Sequence, residues 1–210
     1  MFNQIPAFLS RHEKKIILSS IEKGINTENT YDKTFMWLDD SMIVNSCFKC
    51  NDPNVGLSLN QDDSAIKCYM GDTGLLFSMA FDENTINSEN LYMQIMGDKL
   101  SINKGMLYEN VIAQMLVANG HKLFFYSHYN SDKHRNDIEV DFILSASGSR
   151  GSRIIPIEVK SGKNYSTTSI EAFKKKFKSR IREGYIIHPK NLSTKADGIL
   201  AVPPYMTMCL

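Results

Sequence analysis

The chain has 210 residues, of which 42% are hydrophobic and 22% charged, so it is long enough for one larger domain or two small ones with a buried core. The formal net charge of +1 gives no argument for nucleic acid, and any such case must come from local clusters of basic residues. No stretch approaches the roughly 18 consecutive apolar residues of a membrane helix, and no signal-peptide core precedes the first charges, so we expect a cytoplasmic protein with no membrane partner.

Residues 1–82 are predicted to form a helical module with two strands. Ser10 and Glu13 make a capping box before an apolar run at helical spacing, so a helix containing Ile16 and Ile17 is expected. The elements predicted after it are a helix, a strand, a loop, a second strand and a helix: Thr30–Asp40, Ile43–Lys49, Asn51–Asp63, Ala65–Met70 and Leu75–Phe81.

Two helices followed by two strands around a long loop suggest a winged-helix-like module, in which the second helix would read DNA. That helix carries Lys33 alone against Asp32, Asp39 and Asp40, which is less positive charge than a DNA-reading helix normally has. The alternative is that the module only packs against a neighbouring domain.

Cys47 and Cys50 form a C-x-x-C motif at the end of the first predicted strand. A zinc site would need a second pair of ligands, and a redox pair usually lies where a strand gives way to a helix. We therefore interpret the pair as structural cysteines.

Residues 83–103 are polar and are predicted to connect the first module to a domain over residues 104–210. In that domain the helix Lys104–Asn119 should end at Gly120, and Ser145–Arg153 should be a flexible hairpin connection. Strands and one further helix are expected in this order: strands Lys122–Ser127, Asp137–Leu144 and Ile154–Lys160, helix Ser169–Arg182, and strands near Tyr185–His188 and Ile199–Val202. The predicted fold class is α/β (α+β), a mixed sheet flanked by helices.

Acidic residues alternate with apolar ones in two of these strands, and successive side chains of a strand point to opposite faces. The first strand is expected to place Ile138, Val140, Phe142 and Leu144 on one face, and Glu139 and Asp141 on the other. The second strand places Ile155, Ile157 and Val159 on one face, and Glu158 and Lys160 on the other. If the two strands pair as a hairpin over one core, Asp141 lies near Glu158 and Lys160.

Glu109 is predicted to join these residues, because it lies on the flank of the apolar stripe of its helix and faces the edge of the core. Carboxylates brought together repel one another, and a divalent cation removes that penalty. Hard oxygen ligands suit Mg²⁺ or Mn²⁺, which can activate a water and stabilise charge on a phosphodiester. Lys160 would orient that water or offset phosphate charge. An E-x-K or E-x-D pattern by itself is commonly only a solvated strand face.

The order helix-Glu, strand-Asp, strand-E-x-K resembles the PD-(D/E)XK nuclease superfamily, through GMLYEN at residues 105–110, EVDF at 139–142 and PIEVKSG at 156–162. More narrowly it resembles the C-terminal domain of a family of bacterial and archaeal AAA-type ATPases. Upstream blocks extend the likeness over nearly the whole chain: IP at 5–6, LS at 9–10, WL at 37–38 and KCYMGDTGLL at 67–76.

The resemblance implies a restriction-endonuclease-like core in which Asp141 and Glu158 hold Mg²⁺ directly and Glu109 holds it through water. It also implies an N-terminal nucleotide-binding domain in a complete relative. These 210 residues contain no G-x-x-x-x-G-K-[ST] motif, and Asn164 follows the nearest Ser-Gly-Lys string. We therefore expect no nucleotide site here, and an ATPase domain in cis in a longer protein or in trans.

A basic run near the predicted helix 169–182 is the candidate nucleic-acid-binding surface: Lys174, Lys175, Lys176, Lys178, Arg180 and Arg182. Most such runs are solvated helix faces. Two functions remain open: a Mg²⁺-dependent DNA phosphodiesterase, or a catalytically inactive domain that retains the nuclease fold and binds DNA or protein with an ATPase domain.

Overall fold

The fold is organised by one mixed β-sheet. In this computed structural model the described residues are 3, 5–10, 16–17, 36–80, 104–132, 134–148, 151–162, 164–181, 183–194 and 198–210. The strands among them are β1 (Ile16–Ile17), β2 (Val44–Cys50), β3 (Gln61–Met70), β4 (Leu123–Asn130), β5 (Arg135–Gly148), β6 (Gly151–Val159), β7 (Gly184–Ile187), β8 (Ser193–Thr194) and β9 (Ile199–Val202). The helices are α1 (Ile5–Ser10), α2 (36–40), α3 (Thr73–Ala80), α4 (Lys104–Ala118) and α5 (Thr168–Lys176), with 3-10 turns at Leu57–Asn60 and Pro204–Cys209.

Within the described part of the chain the strands lie in the order β1-β3-β2-β4-β5-β6-β7-β9-β8. The pairs β2–β4, β6–β7 and β7–β9 are parallel and the others antiparallel. The expected mixed α/β architecture is therefore confirmed. No helix in these described ranges combines the length and apolar character needed to cross a membrane.

Helices cover both faces of the sheet, which is why its central strands are apolar on both sides. One core lies under α4, where Ile112, Ala113 and Leu116 pack with sheet residues that include Phe125 and Phe142. The other lies under α5, where the ring of Phe173 meets that of Tyr126 edge-on at 5.0 Å. We call these the α4 core and the α5 core.

The predicted alternation holds in β6 and is wrong in β5. Ile157 and Val159 lie in the α4 core, with Ile155 packed against it. In β5, however, Ile138 and Val140 lie in the α5 core while Phe142 and Leu144 lie in the α4 core. The pairing with β4 explains the change. Phe124 opposes Ile143 and Tyr126 opposes Val140, so β5 carries one extra residue between these pairs. Such a bulge reverses which face the following residues occupy.

The N-terminal region differs from the prediction at two places. Ile16 and Ile17 form a strand that pairs with β3, because two β-branched residues suit a sheet edge better than a helix. The helix lies earlier, at Ile5–Ser10. Pairing of β2 with β4 continues the sheet from the N-terminal strands into the C-terminal ones. The predicted junction at 83–103 and Thr30–Phe35 of the second helix lie outside the described residues, and the winged-helix-like module stays a prediction.

Two boundaries in the C-terminal half also change. β5 and β6 pair as far as Gly148 and Gly151, so most of the segment expected to be a flexible connection is strand. The helix expected over Ser169–Arg182 ends at Lys176. The chain then turns, and Ile181 makes a parallel bridge to Ile154. The predicted end of α4 is confirmed, since Gly120 has a φ of 85° and lies just beyond it.

Gly71 lies at a position where there is no room for a side chain. It follows β3 and donates its N–H to the carbonyl oxygen of Ile43 at 2.8 Å. A Cβ there would lie 2.3 Å from the carbonyl oxygen of Met42. We expect Gly71→Ala to lower the free energy of unfolding by roughly 1–3 kcal/mol, the usual cost of overpacking, as measured by urea denaturation.

Gly162→Ala is the matched control, because its Cβ would meet its nearest atom at an ordinary 3.5 Å. Equal unfolding midpoints for the two variants would contradict the assignment of Gly71 as a close-approach position.

Candidate functional site

Lys67 lies in the middle of β3 and is only 1% exposed. All six residues from Ala65 to Met70 are buried, so the lysine is part of an otherwise apolar strand segment. An ammonium group taken out of water is strongly destabilised unless it is paired with opposite charge. Its partners therefore define what this part of the fold is built around.

Two carboxylates of β5 surround the Lys67 ammonium. Nζ lies 3.5 Å from Glu139 Oε1 and 3.6 Å from Asp141 Oδ1. It also lies 5.1 Å from the centroid of the Phe125 ring on β4. Burial by itself lowers the pKa of Lys67, but the negative charges of Asp141, Glu109 and Glu139 outweigh it and hold that pKa above its ordinary value. The lysine is therefore charged.

Glu109 brings the third carboxylate, from α4. It is 5% exposed, and its Oε2 accepts a hydrogen bond from the Tyr69 hydroxyl at 3.1 Å. The neighbouring Asn110 fixes the helix against the end of β3, because its side chain accepts from the Met70 N–H at 2.8 Å and donates to the Met70 carbonyl at 3.1 Å. This amide acts like an extra strand partner and sets the position of Glu109 above β3.

Besides its contact with Lys67, Asp141 accepts a hydrogen bond from the backbone. Its Oδ2 accepts a hydrogen bond from the backbone N–H of Val159 at 2.9 Å. The β5–β6 ladder ends at the pair Phe142–Ile157, so this carboxylate satisfies the N–H just beyond the ladder. Both oxygens of Asp141 thus face protein cations or donors.

Glu158 and Lys160 form an ion pair at the end of β6. Lys160 Nζ lies 2.8 Å from Glu158 Oε2, and the Glu158 side chain is 2% exposed against 29% for Lys160. Burial raises the pKa of Glu158 to about 7, Lys160 opposes the shift, and the charge of Asp141 adds to it. Burial lowers the pKa of Lys160, but the charges of Glu158, Asp141 and Glu109 outweigh it and raise that pKa above its ordinary value. The expected neighbours therefore form two adjoining groups. Glu109, Glu139 and Asp141 surround Lys67, and Glu158 holds Lys160.

The donor set does not fit the divalent cation that the resemblance implies. Among the described residues no three His, Cys, Asp or Glu side chains converge so as to hold a metal ion. The physical reason is local. The Lys67 ammonium occupies the space between the carboxylates, and Asp141 Oδ2 is turned to Val159. We define the lysine-filled cluster as Lys67, Glu109, Glu139 and Asp141.

Sequence reasoning missed Lys67, Tyr69 and Asn110. A detectable signal did exist for Lys67. A lysine inside the run AIKCYM has only apolar neighbours in sequence, so it must pair with carboxylates from elsewhere in the chain if the run is buried. The pattern does not say which carboxylates, because the partners are more than 40 residues away.

The basic run near α5 separates into two groups with different roles. Lys176 Nζ donates to the Tyr126 hydroxyl at 2.8 Å. Arg180 pairs with Asp52 and also donates to the Pro53 carbonyl at 3.1 Å. These two residues fasten α5 and the following turn to the sheet and to the loop after β2. Arg182 lies outside the described residues.

The other three basic residues line an open cleft of about 640 Å³, which we call the lysine cleft. Lys175 and Lys178 are exposed and Lys174 is half-buried. The lining is completed by apolar and polar residues: Thr168, Glu171, Ala172, Ile181 and Ile199. The cleft therefore has a partly aliphatic lining and carries a net positive charge.

Two family models match successive parts of the chain. Residues 104–207 match a family model described as Domain of unknown function (DUF4143), a domain usually found with AAA ATPases. Residues 1–85 match a second model, Domain of unknown function (DUF8612). No curated protein and no solved structure matches the chain. The match at residues 104–207 thus supports the expected link between this domain and AAA-type ATPases.

We expect Glu158→Gln to flatten the pH dependence of stability. A carboxyl whose pKa is raised in the folded state stabilises it fully below the unfolded pKa, and this contribution is lost as pH rises through the folded value. With that pKa raised from 4.5 to about 7, the native chain should lose at most about 3 kcal/mol from this group between pH 4.5 and 8. Urea unfolding across that pH range measures the difference.

Glu171→Gln, on the exposed face of α5, is the control and should keep the native pH profile. Identical profiles for native and Glu158→Gln chains would show that Glu158 is not held in the environment described above.

Proposed function

We propose that this chain is a non-hydrolytic nucleic-acid-binding domain that works with an AAA-type ATPase and retains the organisation of a PD-(D/E)XK nuclease. The observation that carries the proposal is the lysine cleft. Three ammonium groups line one concavity, while the neighbouring cations of the same run are used to hold α5 in place. The cleft is therefore a rigidly mounted positive surface.

The chemistry of the cleft suits a phosphodiester strand. Lys174, Lys175 and Lys178 supply charge that can replace the counterions of phosphates, which is the main source of sequence-independent affinity for nucleic acid. Ala172 is the half-buried apolar residue of the lining, whereas Ile181 and Ile199 are buried. Glu171 is the opposing charge in the lining, and its Oε1 accepts a 2.6 Å hydrogen bond from the Thr167 hydroxyl.

Rigid mounting matters, because a binding surface loses affinity when it must be ordered during binding. Phe173 is fully buried in the α5 core beneath the cleft. Lys176 and Arg180 then tie the helix end and its turn to Tyr126 and Asp52. The helix and its turn therefore present Lys175 and Lys178 without a folding cost on binding.

The proposed partnership with an ATPase rests on the family match and on the motif content of the sequence. The matched domain is usually found with AAA ATPases, and these 210 residues contain no Walker A motif. Nucleotide hydrolysis would then come from a domain in cis in a longer protein or from a partner in trans. The lysine cleft would hold the nucleic acid on which that ATPase acts.

A second candidate is the Mg²⁺-dependent DNA phosphodiesterase of the sequence analysis. The observation in its favour is the E-x-K pair at the end of β6, where partly exposed Lys160 lies against Glu158. The lysine-filled cluster argues against it, because the Lys67 ammonium lies 3.6 Å from Asp141, one of the carboxylates expected to hold the metal. We therefore place binding ahead of hydrolysis.

We expect the double substitution Lys175→Gln/Lys178→Gln to weaken binding to DNA or RNA. Loss of two phosphate contacts should reduce the slope of log affinity against log salt by about two and the affinity at moderate salt by roughly tenfold or more. Fluorescence anisotropy with labelled single-stranded and duplex oligonucleotides over a salt series measures both quantities.

Arg135→Gln/Lys190→Gln is the charge-matched control, since both side chains are exposed and lie outside the lysine cleft. It should leave affinity and salt slope close to native. Equal losses for the two double variants, or no binding by the native chain to any nucleic acid, would refute the lysine cleft as the binding site.

The non-hydrolytic part of the proposal has its own test. Native chain incubated with duplex, single-stranded and branched DNA in Mg²⁺ or Mn²⁺ should leave the DNA intact, because the carboxylates already hold Lys67. Cleavage that disappears on Asp141→Ala and on Lys160→Ala would establish the second candidate instead.

A further inference from the structure

The lysine-filled cluster joins the two regions that match different family models. Lys67 lies within residues 1–85, and Glu109, Glu139 and Asp141 lie within residues 104–207. One region supplies the cation and the other supplies the three anions. A buried charge cluster shared in this way makes the electrostatics of the C-terminal region dependent on the N-terminal one.

The path of the Lys67 side chain supports a specific role. β2 and β4 lie between β3 and β5 in the sheet. Three strand spacings of about 4.8 Å separate β3 from β5, which is more than a lysine side chain can span. Lys67 and the two β5 carboxylates therefore reach towards each other, and the ammonium meets them beside the Phe125 ring on β4. An exposed lysine would keep its ammonium hydrated, whereas this one is 1% exposed and places its ammonium beside two carboxylates.

The charge balance shows what the ammonium does there. Carboxylates brought close together repel each other when ionised, and a nearby cation removes that penalty. A divalent ion would supply that charge through direct oxygen contacts, but it cannot share the space with an ammonium that lies 3.5 and 3.6 Å from two of the carboxylates. Mutual repulsion between the two cations adds to the exclusion.

We propose that the Lys67 ammonium is the built-in cation of this cluster, standing where a divalent cation of the Mg²⁺ or Mn²⁺ class would otherwise bind. The native cluster is then independent of metal, and a cation site appears only when Lys67 is removed. This inference does not rest on the lysine cleft, which lies on α5 and contains no member of the cluster.

The test is a Mn²⁺ titration of the full chain, with free Mn²⁺ followed by electron paramagnetic resonance. The native chain should show no site that depends on Asp141. Lys67→Gln should gain one site, with affinity about tenfold or more above the native background because one positive charge has left the cluster. Adding Asp141→Asn to Lys67→Gln should remove that site.

Lys49→Gln is the matched control. Lys49 lies on the neighbouring strand β2 and makes a 2.8 Å ion pair with Asp62, so the substitution breaks a strand ion pair without touching the cluster. It should bind Mn²⁺ no better than the native chain. A gain equal to that of Lys67→Gln would overturn the proposal, because it would trace binding to ion-pair loss in general.

Two further outcomes decide the matter. An Asp141-dependent Mn²⁺ site in the native chain would overturn the proposal directly, whether or not any variant folds. A Lys67→Gln chain with native circular dichroism and no gained site would overturn it as well.

If Lys67→Gln unfolds, thermal melts with Mn²⁺ replace the titration. Refolding by the ion supports the proposal, and failure of both Lys67→Gln and Lys67→Met to refold counts against it.

Discussion

The structure depends on how it accommodates one buried positive charge. Lys67 lies in the buried segment of β3, and leaving its ammonium there without anions would strongly destabilise the fold. The anions come from β5 and α4, which are distant in sequence. Their convergence ties β3 to elements on the far side of β2 and β4, so the charge pairing acts as a cross-sheet link in addition to the backbone ladders.

The bulge in β5 contributes to the pairing of Lys67, because it determines the position of Asp141. A regular strand would carry Val140 and Phe142 on one face, but the extra residue sends Val140 to the α5 core and Phe142 to the α4 core. Asp141 lies at the change of face, where its carboxylate bonds both to Lys67 and to the Val159 N–H. The bulge that places side chains in both cores therefore also directs the Asp141 carboxylate, which was expected to hold a metal, into contacts with the protein.

Much of the C-terminal half could be predicted from its sequence, because the relevant signals are local. Alternation in β6 places Ile157 and Val159 in the core, and Gly120 ends α4 as expected. The failures come from interactions that no local pattern contains. The spacing around Ile16 and Ile17 predicts a helix, but the two residues pair with β3 as a strand. The bulge in β5 depends on its register with β4, and the pairing of Lys67 with Asp141 is a contact between distant residues.

The two electrostatic features of the domain lie on opposite sides of the sheet. Lys67 passes over Phe125, which belongs to the α4 core, whereas the lysine cleft is carried by α5, whose Phe173 lies in the α5 core. Metal-dependent hydrolysis requires the ion and the bound phosphate to be in direct contact. A phosphate held by Lys175 and Lys178 would be separated from the Lys67 carboxylates by the sheet itself. That separation, together with an ammonium already placed beside two of those carboxylates, supports the proposal that the domain holds nucleic acid without cutting it.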